Sequence, residues 1–217
     1  MPLDCTGENL PDIPTIEIPN SPTRFDDFCL GLNAPAQVLL HESISNKNKT
    51  LKYWVILEAD DYPLAACELE QYADYAAQQQ NWEGKRSDYL LIGSHQGDCY
   101  LIIIELRHVI VKEEHEDQKF EQLRQCIEQL INQLFVIDQS NVLTEVYPNP
   151  EQYKIIGVVI APGNTRQFRR GELNLKIEIK SHPVLIRTLP KDALSQCKIT
   201  WTDLLHRVGI PRNPRTG

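Results

Sequence analysis

No apolar run in this 217-residue chain is long enough to cross a membrane. The longest, residues 99–104, is about a third of the roughly 20 residues a spanning helix needs. The opening stretch "MPLDCTGENLPDIP" has neither a basic start nor an apolar segment, so no cleaved leader is expected. The six cysteines, at 5, 29, 67, 99, 126 and 197, are widely spread. That pattern is neither a zinc spacing nor a compact disulfide framework, and it predicts reduced thiols in the cytoplasm. The six histidines, at 41, 95, 108, 115, 182 and 206, show no HxxxH or HxH pairing, so no metal role is expected of them. Gly93 and Gly97 belong to no G-x-G-x-x-G or Walker pattern, which excludes the common phosphate loops. No internal repeat is visible.

Hydrophobic residues make up 41% of the chain, enough for a soluble globular fold, and the length suits one domain spanning 1–217. Charge is unevenly divided. Residues 151–217 carry +7 and residues 1–150 carry −15, which together give the net −8. The basic third contains "RQFRR" at 166–170 and "HRVGIPRNPRTG" at 206–217. Such asymmetry permits an anionic partner, with Arg166, Arg169 and Arg170 as its candidate contacts; a solvated face is the alternative.

Residues 1–23, rich in Pro, Asn and Thr, read as a lead-in arm. "PAQVLLHESISNKNKTLKYWVILEA" predicts two strands around a polar loop. In "DDYPLAACELEQYADYAAQQQ", Pro63 suits a first helical turn, and Ala65, Leu69, Tyr72, Ala73 and Ala76 recur at helical spacing. The 113–135 segment predicts a helix with Phe120, Leu123, Ile127, Leu130, Ile131 and Leu134 on one stripe. "YKIIGVVIAPG" reads as a strand buried on both faces, and "GELNLKIEIKSHPVLIRTL" as one further strand or a pair. "TWTDLLHRVG" predicts a short helix capped by Thr200 or Thr202. The fold class is α/β, with a mixed central sheet flanked by helices. Trp54, Trp82 and Trp201 are expected in or near the core.

The segment "SDYLLIGSHQGDCYLIIIELRH", residues 87–108, predicts a hairpin. With the loop His95-Gln96-Gly97-Asp98, Ser94 faces Cys99 and Asp88 faces Glu105, while Arg107 shares the Glu105 face. Two carboxylates and a guanidinium then meet in one patch. Either Arg107 neutralises the carboxylates, or Asp88 and Glu105 hold a hard divalent cation. A literal E-x-K at Glu178 and Lys180 lacks an acidic residue on the preceding strand, and it reads as a solvated edge strand. His95, at the loop tip, is expected in solvent.

A carboxylate opening one strand, Glu105-Leu106-Arg107 where the family carries E-x-K at the end of the next, then a long helix and a buried strand resembles the PD-(D/E)XK, or restriction-endonuclease-like, nuclease superfamily. The resemblance covers roughly residues 60–162, leaving 163–217 as basic C-terminal strands and a short helix. It implies a Mg²⁺-dependent, or Mn²⁺-dependent, nuclease acting on DNA. Asp88 and Glu105 would bind the metal. Glu70 or Glu68 would join them from the preceding helix, and Gln122 or Gln125 would echo a helix glutamine. Arg107 stands at the motif lysine, and Lys85 and Lys112 are the neighbouring lysines in sequence. Arginine stays protonated, so Arg107 can clamp phosphate but cannot act as a base. The alternative is a non-catalytic module on the same scaffold that binds nucleic acid or a protein partner, including a second copy of the chain.

Overall fold

Strict alternation of side chains along the strands sets the layering. The structure, a computed structural model, describes residues 5–46, 49–107, 113–146, 153–161, 175–190, 194 and 196–211. Its first strands are β1 (Thr6–Gly7), β2 (Cys29–Leu32), β3 (Gln37–Asn46), β4 (Lys49–Glu58) and β5 (Leu64–Glu68). Helix α1 (Leu69–Gln78) leads to β6 (Tyr89–His95) and β7 (Asp98–Leu106). Three helices follow: α2 (Glu113–Asn132), α3 (Leu134–Asp138) and α4 (Asn141–Val146). The chain continues with β8 (Tyr153–Ala161), β9 (Leu175–Ile179), β10 (His182–Pro190), β11 (Lys198–Thr200) and α5 (Trp201–Arg207).

Seven strands form a mixed sheet in the order β2-β5-β6-β7-β8-β10-β9. The β7–β8 and β8–β10 pairings are parallel, and the others are antiparallel. A smaller sheet is built on β4. One edge of β4 pairs with β3, and the other takes β1 at Lys52–Tyr53 and β11 at Ile56–Glu58. Leu64, Ala66, Leu91, Ile102 and Ile104 of the large sheet pack with Val38, Leu40, Val55 and Leu57 of the small one, together with α5. Ala65, Cys67, Leu90, Leu101 and Ile103 point the other way, onto α1, α2, α3 and α4. The layers are therefore small sheet, large sheet and helices, and the large sheet is buried on both faces. This is the expected α/β class with a mixed sheet. Among the described residues no helix is long and apolar enough to cross a membrane.

The α2 stripe forms as the periodicity predicts, with Leu123, Ile127 and Leu130 fully buried. The helix breaks at Gln133, so Leu134 starts α3 instead of ending α2. The two strands around the "SNKNK" loop, the β8 strand and the β9–β10 pair also form as expected, and Thr200 caps α5 by accepting from the Asp203 N–H at 3.2 Å. Trp82 and Trp201 are core residues, and Trp54 packs against the core.

Three expectations are corrected. Leu64–Glu68 is a strand, not the first turn of a helix, and α1 begins only at Leu69. The alternating burial of Leu64 and Ala66 on one face and Ala65 and Cys67 on the other outweighs the alanines' helical propensity. The arm is not a free lead-in: β1 pairs with β4, and the Leu39 N–H donates to Pro14 O at 2.8 Å. The thiols are not all reduced. Cys5 is bonded to Cys197 and Cys29 to Cys67, at sequence separations of 192 and 38, while Cys99 and Cys126 remain free and buried. Cys29 lies directly across from Cys67 in the β2–β5 register, a proximity that linear spacing does not reveal. The cytoplasmic expectation rested on unpaired thiols and loses that support, because disulfides persist mainly in oxidising surroundings.

Candidate active site

Gln96 and Gly97, at φ 54° and 85°, join β6 to β7 in a two-residue turn. Positive φ at both central positions is the type I′ form that matches strand twist. The loop is shorter than the four residues expected, because His95 and Asp98 also pair, but the register is the expected one, with Ser94 opposite Cys99 and Tyr89 opposite Ile104. The ladder ends there; continued by one step it would set Asp88, the residue before β6, against Glu105. His95 is buried against Tyr62 rather than solvated, because the tighter turn keeps it within the sheet.

Glu105 is fully buried on the helix-facing side of β7. Its Oε1 is ion-paired with Arg107 Nη2 and accepts from Gln122 Nε2 at 3.1 Å. Its Oε2 is buried with no hydrogen-bond partner among the described residues. Arg107 Nη1 also lies 3.4 Å from Glu42 Oε1 on β3. Gln122 reaches the site because α2 sits hard on β8. A Cβ on Gly157 would come within 2.8 Å of Leu123 Cδ2, so only glycine allows this approach. Gln122 also donates to Arg86 O at 2.7 Å, which fixes its amide.

Asp88 is held from both sides. Its Oδ2 accepts the Leu106 N–H at 2.5 Å, and its backbone carbonyl accepts from the Leu69 and Glu70 N–H groups at 3.0 and 3.4 Å. The residue just before β6 thus accepts the first amides of α1 and draws Glu70 toward the hairpin. Asp88, Arg107, Gln122, Glu42, Glu68 and Glu70 line one cleft of about 570 Å³. Tyr89 closes its floor, because the hydroxyl donates to His41 O and accepts from His41 N–H, both at 2.9 Å, tying the large sheet to β3.

Burial raises the Asp88 carboxyl to about 7; the Leu106 N–H and Arg107 oppose the rise, and Glu42 and Glu70 add to it. Burial likewise raises Glu68 to about 7, against hydrogen bonds from Gln71 and Tyr89. His41 is lowered by burial and by Lys52. A carboxyl whose folded pKa is raised contributes full stability below its unfolded value near 4 and loses it as pH climbs through about 7. Asp88→Asn keeps an oxygen for the Leu106 N–H. In chelator it is expected to leave the melting temperature unchanged at pH 4 and raise it by a few degrees at pH 7.5, for a gain of roughly 1–2 kcal/mol after solvent screening. Melting curves across that range test this; a variant curve parallel to wild type would refute the assigned pKa.

The structure gathers Asp88, Glu105, Arg107, Gln122, Glu68 and Glu70 at one end of the hairpin. Gln125 is turned away, donating to Glu121 Oε1 at 2.8 Å. Lys85 is exposed and does not line the cleft. Lys112, Arg166, Arg169 and Arg170 lie outside the described residues. Glu178 is exposed on the edge strand β9, and Lys180 Nζ bonds Asn132 Oδ1 at 2.6 Å, as suits a solvated edge. Sequence reasoning missed Glu42 and His41. They come from β3, outside the 60–162 core, and their alternation reads as an ordinary solvent-facing strand. Among the described residues no three of His, Cys, Asp and Glu group as a metal site. The donors present are hard carboxylate oxygens, and the buried Glu105 Oε2, without a hydrogen-bond partner among the described residues, suits a cation that takes one or two carboxylates and completes its shell with water or phosphate. Comparison with family models, curated proteins and solved structures finds no match.

Proposed function

We propose that the chain is a divalent-cation-dependent phosphodiesterase acting on DNA, built on a restriction-endonuclease-like core at residues 60–162. The observation that carries this reading is the buried Glu105 carboxylate. Gln122 and Arg107 hold one oxygen, the other has no hydrogen-bond partner among the described residues, and Asp88 lies just before β6, next to the Tyr89–Ile104 pair. The element order supports it: α1, the β6–β7 hairpin, α2, then β8 parallel to β7.

Asp88 and Glu105 would hold Mg²⁺ or Mn²⁺, with Glu70 at the rim. The ion, when bound, polarises a phosphoryl oxygen and neutralises developing charge. Gln122 fixes the orientation of Glu105, and Tyr89 bonded to His41 fixes the floor of the cleft. Arg107 supplies a permanent positive charge that binds a phosphate oxygen and stabilises the charge that grows on it. It cannot take a proton from water. The basic C-terminal third, with Arg166, Arg169 and Arg170, is the proposed DNA contact.

One observation favours a second reading. The Arg107 guanidinium already neutralises Glu105 at Oε1, where a cation would compete. A module that keeps the scaffold and binds nucleic acid or a protein partner without cutting would have this arrangement. Plasmid, linear duplex and single-stranded DNA offered at low salt with Mg²⁺ or Mn²⁺ separate the two. Cleavage that chelator abolishes, with a metal-induced rise in melting temperature absent from Asp88→Asn/Glu105→Gln, supports the enzyme. Intact DNA with salt-sensitive binding supports the module; neutralising each of the three arginines should then reduce the salt slope by about one.

A further inference from the structure

A second cleft, of about 490 Å³, opens beside the acidic one. Three features join them. Gln71 lines both. Arg86 of the first is ion-paired with Asp74 of the second at 2.7 Å. The Cys29–Cys67 bond links the residue after Phe28, in the second wall, to the residue before Glu68, in the first.

The chemistry of the second cleft differs from that of the first. Tyr75 is half-buried and offers a ring to the cleft. That ring is held in place, because its hydroxyl donates to Thr23 O at 2.7 Å and it packs on Phe28 at 5.4 Å between centroids. Exposed amides surround it, from Asn20, Gln71 and Gln78, each with donors and an acceptor. The Asp74 carboxylate is neutralised by Arg86, whose Nε, at the boundary between the clefts, is buried with no hydrogen-bond partner among the described residues. A fixed aromatic face ringed by amides, one cleft away from a phosphate site, suits an unpaired nucleobase. Bases stack on aromatic side chains, and amides read their hydrogen-bonding edges.

We infer that the second cleft is a nucleobase pocket, in which an unpaired base flanking the phosphate held in the acidic cleft stacks on Tyr75. This rests on the proposed phosphodiesterase reading and narrows its substrate to strands with an unpaired base at the scissile position. Arg86, at the boundary, is placed to contact the intervening phosphate.

The test is binding by the full chain, with Ca²⁺ as the oxygen-seeking cation, to two fluorescent probes of about eight units. One is oligothymidylate, and the other is the same backbone with every base removed. Wild type should bind the oligothymidylate more tightly. Tyr75→Ala should weaken that binding about 5- to 100-fold and leave the abasic probe within twofold. Tyr75→Phe, which keeps the ring, should stay close to wild type. Tyr75→Leu, which keeps the bulk, should behave as the alanine variant, so a packing defect is told apart from lost stacking. Equal wild-type affinity for the two probes would overturn the pocket while leaving the phosphate site standing. So would a Tyr75→Ala loss that is equal on both. Binding of neither probe by wild type would overturn both readings.

Discussion

Arg107→Ala is expected to lower the melting temperature by about 10 °C. Glu105 is fully buried, and its charge partner is Arg107, itself only 15% exposed. Removing one member of a buried pair leaves an uncompensated charge and costs about 3–5 kcal/mol. In a domain of this size each kcal/mol moves the midpoint by roughly 2–4 °C. Glu105→Gln should cost less, because Arg107 retains Glu42 at 3.4 Å and Gln122 keeps an oxygen to donate to. The double variant Arg107→Leu/Glu105→Leu should be more stable than the sum of its singles by at least about 1.5 kcal/mol, since neither charge is then stranded. Arg107→Lys keeps the charge and should melt within a few degrees of wild type. If the chain cuts DNA, the lysine variant should cut at least as fast, while Glu105→Ala should lose activity by three orders of magnitude or more, since several kcal/mol of charge stabilisation go with the metal ligand. Additive singles in thermal and denaturant unfolding would show that the pair is not a coupled unit.

The next largest effect concerns Cys5–Cys197. In the chain-entropy account a cross-link stabilises by restricting the unfolded chain, increasingly with the loop it closes. This bond spans 192 residues and Cys29–Cys67 spans 38. The longer loop is expected to contribute more, by about 1.4 kcal/mol. Cys5→Ser should therefore lower the melting temperature by about 5–15 °C, and Cys29→Ser by less. Mild reduction of wild type should reproduce the sum. Non-reducing mass analysis against thiol alkylation gives the bond count; a protein that alkylates at all six positions without denaturant would contradict both bonds.

Periodicity made some of this architecture readable and concealed the rest. The α2 stripe from Phe120 to Leu134 needed only the 3.6-residue repeat, and β8, apolar on both faces, needed only its composition. The hairpin register followed from counting, because a slip of one would have turned Asp88 and Glu105 onto opposite faces. The β5 strand was hidden because Ala65 and Ala66 favour helices until two layers bury them. The smaller sheet was half legible. Its β3–β4 hairpin is local, whereas β1 and β11 join β4 from positions about 46 residues before it and 142 after. Glu42 and His41 enter the site through that same sheet, so no local pattern announces them.

The assembly of β4 from both directions governs the order in which this chain can mature on the ribosome. Residues 49–58 are made early, but the β11 segment that pairs with Ile56–Glu58, and the Trp201 indole that lies over Gly93, are made about 142 residues later. At about 5–20 residues per second, that is a delay of roughly 7–30 s. Once the large sheet is made, its residues that will meet Trp201, Leu204 and Leu205 lack that part of their cover until the segment arrives. A nascent chain halted shortly before residue 198 should therefore bind holding chaperones and be cut readily by protease, and release of about a dozen more residues should end both. The expected closing step of folding is the docking of α5, with Cys197 reaching Cys5 as its covalent latch.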